Sequence, residues 1–353
     1  MYDFTNLNVI KKFDRSNMLD LLLGLPVQCR KALALSRKVK LAKSFSRVNK
    51  IVISGMGGSA VSGDILRSFL SARIGIPILV NRDYSLPGLV DSKTLFFANS
   101  YSGNTEETLS AFSQAKAREA RIIGVTSGGK LSELCQRHGF PIYTLPGGQP
   151  PRTAIGYIFL PLLEALLSLG LVKNVEGEIE EAVSYLEKKV RVYQPRAGQN
   201  NLVYRLTQKI FGYIPLIYGS GEITGVAAFR WKTQFNENSK ILAFNQVFPE
   251  LDHNEIMGWE APAAITKKFV ILVLKDKADS PRMRKRIGIT LDVIGKKPFS
   301  LEEISSEGSS PLTRIFSLIL LGDFLSFYLA IARGVDPTLI KGINTLKEKL
   351  AKP

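Results

Sequence analysis

Two clusters of small and hydroxylated residues carry the most legible chemistry in the sequence. One is Gly55-Met56-Gly57-Gly58-Ser59 and the other is Ser100-Tyr101-Ser102-Gly103-Asn104-Thr105. Gly55, Gly57 and Gly58 let a backbone approach an anion closely, and Ser59 stands where a helix would begin. Ser100, Ser102 and Thr105 set three hydroxyls ahead of a second helix start. Backbone N–H groups, hydroxyl donors and a helix N-terminus are what a phosphate needs. Each cluster also has a plainer reading. Gly55–Ala60 fits a variant dinucleotide fingerprint, and Thr105 followed by Glu106 fits an ordinary helix cap. Taken together, the two suit a phosphomonoester better than a pyrophosphate.

The titratable candidates lie elsewhere. Glu237 ends an apolar run between Asn236 and Asn238. A carboxylate partly withdrawn from water is a competent base, although context alone favours an exposed helix-end glutamate. His253, in Asp252-His253-Asn254-Glu255, reads equally as an acid–base group or as a surface-loop histidine. Arg152 follows Pro150-Pro151, which stiffen its loop. Its charge can stabilise a developing oxyanion or serve a loop salt bridge. His138 precedes Gly139 and reads as a charge at a helix C-terminus, with no catalytic role.

The elements that must position these residues alternate. Strands are expected at 51–54, 77–80, 94–99, 122–126 and 142–145, with helices at 59–70, 105–119 and 130–138 between them. Such alternation implies a parallel, doubly wound α/β sheet. Residues 16–46 read as helical, interrupted by Pro26. The polar stretch 193–200 reads as a link. The pattern then restarts with a strand at 215–218, the turn Gly219-Ser220-Gly221, a helix at 223–235, a strand at 268–274 and helices at 281–294 and 311–333. Asp336-Pro337 opens a last helix to Leu350. Strand–Gly-x-Gly–helix thus occurs twice, an internal repeat of one αβα unit. Domains are expected at 1–195 and 196–353.

The bulk properties narrow the classes. At 353 residues the chain exceeds the roughly 250–300 at which single cores stop growing. A hydrophobic share of 45% with 22% charged residues argues against disorder. The net charge of +16 is spread along the chain, and its densest run, Arg282–Arg286, reads as a solvated helix turn without any nucleic-acid motif. No nucleic-acid partner is expected. Cys29 and Cys135 are far apart in sequence and lack metal-ligand neighbours, so neither a disulfide framework nor a metal site is expected. The apolar stretches 154–172 and 315–332 carry Glu164 and Asp323 near their middles, a cost of about 2.5–3.5 kcal/mol each at a bilayer centre. Both read as core helices. With no signal peptide evident, a soluble, cytoplasmic protein without a membrane partner is expected.

The segments Ile53-Ser54-Gly55-Met56-Gly57-Gly58-Ser59-Ala60 and Ser100-Tyr101-Ser102-Gly103-Asn104-Thr105-Glu106-Glu107 resemble the sugar-isomerase (SIS) domain. Phe235–Lys240 and Glu250–Glu255, with their Asn-Glu-Asn and Asp-His-Asn-Glu cores, resemble the bifunctional phosphoglucose/phosphomannose isomerases of archaeal type. The resemblance implies two tandem flavodoxin-like domains with flanking helices, and cofactor-free interconversion of glucose 6-phosphate, mannose 6-phosphate and fructose 6-phosphate. It further implies a homodimer in which His253 is supplied by the partner subunit. By the same resemblance Gly57, Gly58, Ser59, Ser100, Ser102 and Thr105 bind phosphate, Arg152 is the active-site arginine and Glu237 the base. Lys347 in the last helix fits the remaining lysine. Lys341 competes for that role, since six residues of helix separate their directions by about 240°. Two rivals share the fold. A phosphosugar sensor would carry a DNA-reading unit, and none is evident in 1–48. A glutamine-dependent aminotransferase would need an N-terminal cysteine-nucleophile domain, and with the sequence opening Met1-Tyr2-Asp3 none is expected.

Overall fold

The structure, a computed structural model, describes residues 1–195 and 201–350. Part of the expected link at 193–200 therefore lies outside the described residues. The chain packs as two compact units. One comprises Gly24–Glu187 with Gly308–Phe316, and the other Met1–Leu23, Lys188–Glu307 and Ser317–Pro353. The N-terminal residues, expected with the first domain, thus belong with the second half. The cause is aromatic burial: Phe4 is 2% exposed, with its ring centroid 4.9 Å from that of Tyr204 and 5.8 Å from that of Tyr328.

The first unit holds a five-stranded parallel sheet. Its strands are β1 (Lys50–Ser54), β2 (Ile78–Asn81), β3 (Thr94–Asn99), β4 (Arg121–Thr126) and β5 (Ile142–Thr144), in the order β2-β1-β3-β4-β5. β1 and β3 are buried along nearly their whole length, as strands covered on both faces must be. One face carries Val52, Phe96, Ala98 and Ile122, which pack with Phe112 and Leu131 from the helices Glu106–Ala117 and Gly129–His138. The helices Gly57–Leu70 and Ile155–Ser168 pack together, and Leu25–Ser36 lies on the latter. The expected helical stretch 16–46 stops at Ser36, and Pro26 sits in the first turn of Leu25–Ser36, where a missing N–H costs nothing.

The second unit repeats the topology with four parallel strands. These are β6 (Ile214–Ser220), β7 (Phe244–Phe248), β8 (Phe269–Lys275) and β9 (Ser300–Ser305), in the order β7-β6-β8-β9. Leu216, Tyr218, Ile271 and Val273 pack with Ile287 and Ile294 of the helix Pro281–Ile294. The helix Gly221–Gln234 packs on β6 and β7, and its Trp231 indole donates to the Leu318 carbonyl at 2.7 Å. Both apolar stretches are buried helices. Pro311–Arg333 is long and apolar enough to cross a membrane, yet its apolar window lies wholly inside the protein. Its Asp323 carboxylate accepts from Arg230 Nε at 3.0 Å and Nη2 at 2.7 Å, and from Gln234 at 2.8 Å. The last helix starts at Lys341 rather than at Asp336. Asp336 instead accepts the Thr338 N–H at 2.7 Å, closing a turn of its own.

Candidate active site

Strand order reverses between β1 and β3, and in such sheets ligands bind beyond the strand C-termini at that point. The turn after β1 runs into the helix Gly57–Leu70, and the turn after β3 into Glu106–Ala117. Neither helix start has a side-chain cap bond, so the first-turn N–H groups are left to other acceptors. Thr105, a plain cap on sequence grounds, turns its hydroxyl to Ser100 Oγ at 2.8 Å. Ser100 Oγ also accepts the Gly103 N–H at 3.1 Å. Ser59 Oγ accepts the Tyr101 N–H at 3.3 Å, and the Asn99 amide donates to the Ser59 carbonyl at 2.9 Å, which ties the two turns together. Ser59 and Ser100 are buried, Thr105 is half-buried and Ser102 exposed.

Arg152 joins this cluster through a close backbone approach. A Cβ added at Gly58 would lie 3.0 Å from the Pro151 carbonyl oxygen, so the glycine turn sits against the short helix Pro151–Thr153 that carries Arg152. Arg152 is 4% exposed. The structure thus brings Gly57, Gly58, Ser59, Ser100, Ser102, Thr105 and Arg152 to one end of one unit. Two helix N-termini and four hydroxyls converge there, with the short helix that carries Arg152 packed against the glycine turn, an arrangement that suits a dianion.

The second unit shows why its copy of the motif does not do the same. Ser220 Oγ donates to Asp279 Oδ1 at 2.6 Å, and the other oxygen of that carboxylate accepts the Asp276 N–H at 2.9 Å. A protein carboxylate therefore sits at the start of this copy's helix, where Ser220 stands in place of Met56 and Ile223 in place of Ser59, and its charge repels a phosphate.

This unit instead presents Glu237. The helix Gly221–Gln234 widens into a π-helical turn, Phe235–Ser239, with Glu237 at its middle. Such turns mark functional sites often enough to be informative. Asn238 and Ser239 are buried and anchor the turn: Asn238 donates to Ser326 Oγ at 3.0 Å and Ser239 Oγ to the Ser326 carbonyl at 2.6 Å. Glu237, half-buried, lines a cavity of about 570 Å³ with Asn236, Lys240, Asp336, Ile340 and Lys341. Of the two C-terminal lysines, Lys341 lines this cavity, whereas Lys347 lies further along the exposed helix Lys341–Leu350.

His253 is exposed at the end of the short helix Glu250–His253. Its neighbours hold the turn: Asp252 accepts from Thr290 at 2.7 Å and from Arg286 at 3.1 Å. Tyr218 donates to Glu255 at 2.6 Å. Burial, reinforced by the Glu255 carboxylate, pushes the Tyr218 hydroxyl far above its usual range, so it stays a donor. Sequence reading missed Lys240, which shares the Glu237 cavity. The only available signal was a cation closing the polar run Asn236–Lys240.

Comparison with known proteins places this geometry. Residues 44–150 match the SIS domain, and residues 199–350 match the bacterial phospho-glucose isomerase C-terminal SIS domain. A bifunctional phosphoglucose/phosphomannose isomerase of Caldicellulosiruptor bescii is 46% identical over 95% of this chain and 99% of its own length. One from Thermoplasma volcanium is 38% identical over 90% of this chain and 98% of its own. Among solved structures, a tagatose-6-phosphate ketose/aldose isomerase from Escherichia coli superposes with a TM-score of 0.69 at 14% identity, covering 90% of this chain and 93% of that one. With relatives this similar over nearly its whole length, the chain belongs to the family of bifunctional phosphoglucose/phosphomannose isomerases.

Proposed function

We propose that the chain interconverts glucose 6-phosphate, mannose 6-phosphate and fructose 6-phosphate through a cis-enediol, with Glu237 as the base. The observation that carries this reading is the turn cluster after β1 and β3, where two helix starts without side-chain caps meet the hydroxyls of Ser59, Ser100, Ser102 and Thr105. The phosphate is held by Gly57, Gly58, Ser59, Ser100, Ser102 and Thr105. Glu237 takes the C2 proton of an open-chain aldose and returns it to C1, giving the ketose. Arg152 offsets the negative charge that grows on the enediolate oxygens. His253, supplied by the partner subunit of a homodimer, serves ring opening with Lys347. Because the enediol is planar at C2, proton return to one face gives the glucose configuration and to the other the mannose configuration. The enzyme works in the cytoplasm.

The test is incubation with fructose 6-phosphate in the presence of EDTA, followed by separation of the products. Both aldose phosphates form, and Glu237→Gln loses turnover by roughly 10²–10⁴-fold, the usual worth of a general base, while still binding fructose 6-phosphate. Glucose 6-phosphate alone would remove the dual specificity. No product with binding intact would make the chain a phosphosugar-binding protein without catalysis. Lys347→Ala lowers kcat sharply. A near-normal Lys347→Ala beside an inactive Lys341→Ala transfers the role to Lys341.

A further inference from the structure

The C-terminal end of the π turn raises a bonding problem that one side chain solves. A helix end leaves carbonyls without N–H partners, and here the chain leaves the helix at once, through Lys240 in the left-handed region at φ 54°. The Lys240 N–H caps the Phe235 carbonyl. Its ammonium then folds back and donates to the carbonyls of Glu237 at 2.8 Å and Asn238 at 3.2 Å. The third proton goes to the Pro337 carbonyl at 3.1 Å. An ammonium has three donors and no acceptor, and each of these three carbonyls accepts from it. A cation at this position also complements the negative end of the helix dipole.

These bonds join two separate walls of one cavity. Asn236, Glu237 and Lys240 form one side, and Val335, Asp336, Leu339, Ile340 and Lys341 the other. Ser326 beneath the turn fixes Asn238 and Ser239, yet neither bond reaches the segment after the helix Pro311–Arg333. Lys240 does, through Pro337. We infer that Lys240 is a positioning residue: it sets the backbone of Glu237 relative to the 335–341 segment and so aims the base. This inference rests on Glu237 being the base.

The experiment compares the full-length wild type with Lys240→Met, Lys240→Arg and Glu237→Gln on fructose 6-phosphate. Lys240→Met keeps the stem length but loses all three donors. It is expected to lower kcat by roughly 10–100-fold, the usual consequence of a base displaced by about 1 Å, with KM within about threefold because the phosphate contacts lie elsewhere. The ratio of glucose 6-phosphate to mannose 6-phosphate formed shifts as well, since a loosened base reaches the two faces of the enediol differently. Lys240→Arg, which can still donate to several carbonyls, recovers most of kcat and the wild-type ratio. Circular dichroism and Tm keep folding separate from aim. A folded Lys240→Met with wild-type kcat and product ratio, beside an inactive Glu237→Gln, overturns the positioning role alone. An active Glu237→Gln overturns the base assignment and this inference with it.

Discussion

At the residue scale, the phosphate cluster shows how a hydroxyl's partner discriminates between readings. Thr105 could have been a simple cap, and its sequence context supports that. In the fold its hydroxyl meets Ser100 at 2.8 Å instead of a first-turn N–H. Loss of one hydrogen bond to a charged group costs roughly 1.5–3 kcal/mol. Ser100→Ala is therefore expected to raise KM for fructose 6-phosphate by about 10–100-fold, with kcat within about threefold because the base is untouched. Steady-state kinetics check this, and a fall confined to kcat would remove Ser100 from the phosphate site. The types of Ser59, Ser100, Ser102 and Thr105 were legible in the sequence. Their convergence was not, because it depends on β1 and β3 being neighbours although β2 lies between them in sequence.

At the element scale, the glycines of the turns are set by close approach. Gly103 has φ +72°, and a Cβ there would come within 1.8 Å of the Gly128 carbonyl oxygen. Left-handed strain and the clash act together, so Gly103→Ala should destabilise the protein by about 2–5 kcal/mol. Tm should fall by roughly 5–15 °C, measured by calorimetry. An unchanged Tm would mean that the 128 turn moves aside freely. Most strands and helices were readable from apolar runs and glycine turns, including the helix Pro281–Ile294 at the residues expected. β7 and β9 were not. Both are edge strands, partly exposed along their length, and β9 carries Glu302 and Glu303. Edges are kept polar against unwanted pairing, so the periodic signal that marks β1 or β8 is missing there. The π turn was equally hidden, since it depends on the buried contacts of Asn238 and Ser239 with Ser326.

At the scale of the whole molecule, the repeat explains the division of labour. The two sheets share one topology, but in the second copy Ile223 replaces Ser59 and the Asp279 carboxylate bonds the helix-start Ser220, and that copy carries Glu237 instead. The proposed dimer makes a quantitative prediction. If His253 serves the partner's Glu237, Glu237→Gln and His253→Ala are each inactive, and an equimolar mixture refolded together regains about one quarter of wild-type activity, from the one intact site in each mixed dimer. No recovery, with dimers confirmed by sedimentation, would place both residues in one protomer. The exposed apolar side chains Ile343, Leu346 and Leu350 of the last helix are consistent with a further contact surface on this unit.

The sequence by itself determined the two αβα repeats and the chemical class of the turns, whereas Glu237 stood out as a base only through the family resemblance. Local periodicity and residue type carry that information, and both survive in a linear chain. Tertiary structure decided which turns meet and what each hydroxyl bonds. Packing placed the first residues of the chain with its second half, because Phe4 finds its aromatic partners only there. It also supplied the partners of the aspartate at the centre of the long apolar helix, which the sequence already read as a core element. Burial pushes the Asp323 carboxyl up, Arg230 and Gln234 oppose that shift by bonding it, and only the folded chain brings those partners within reach.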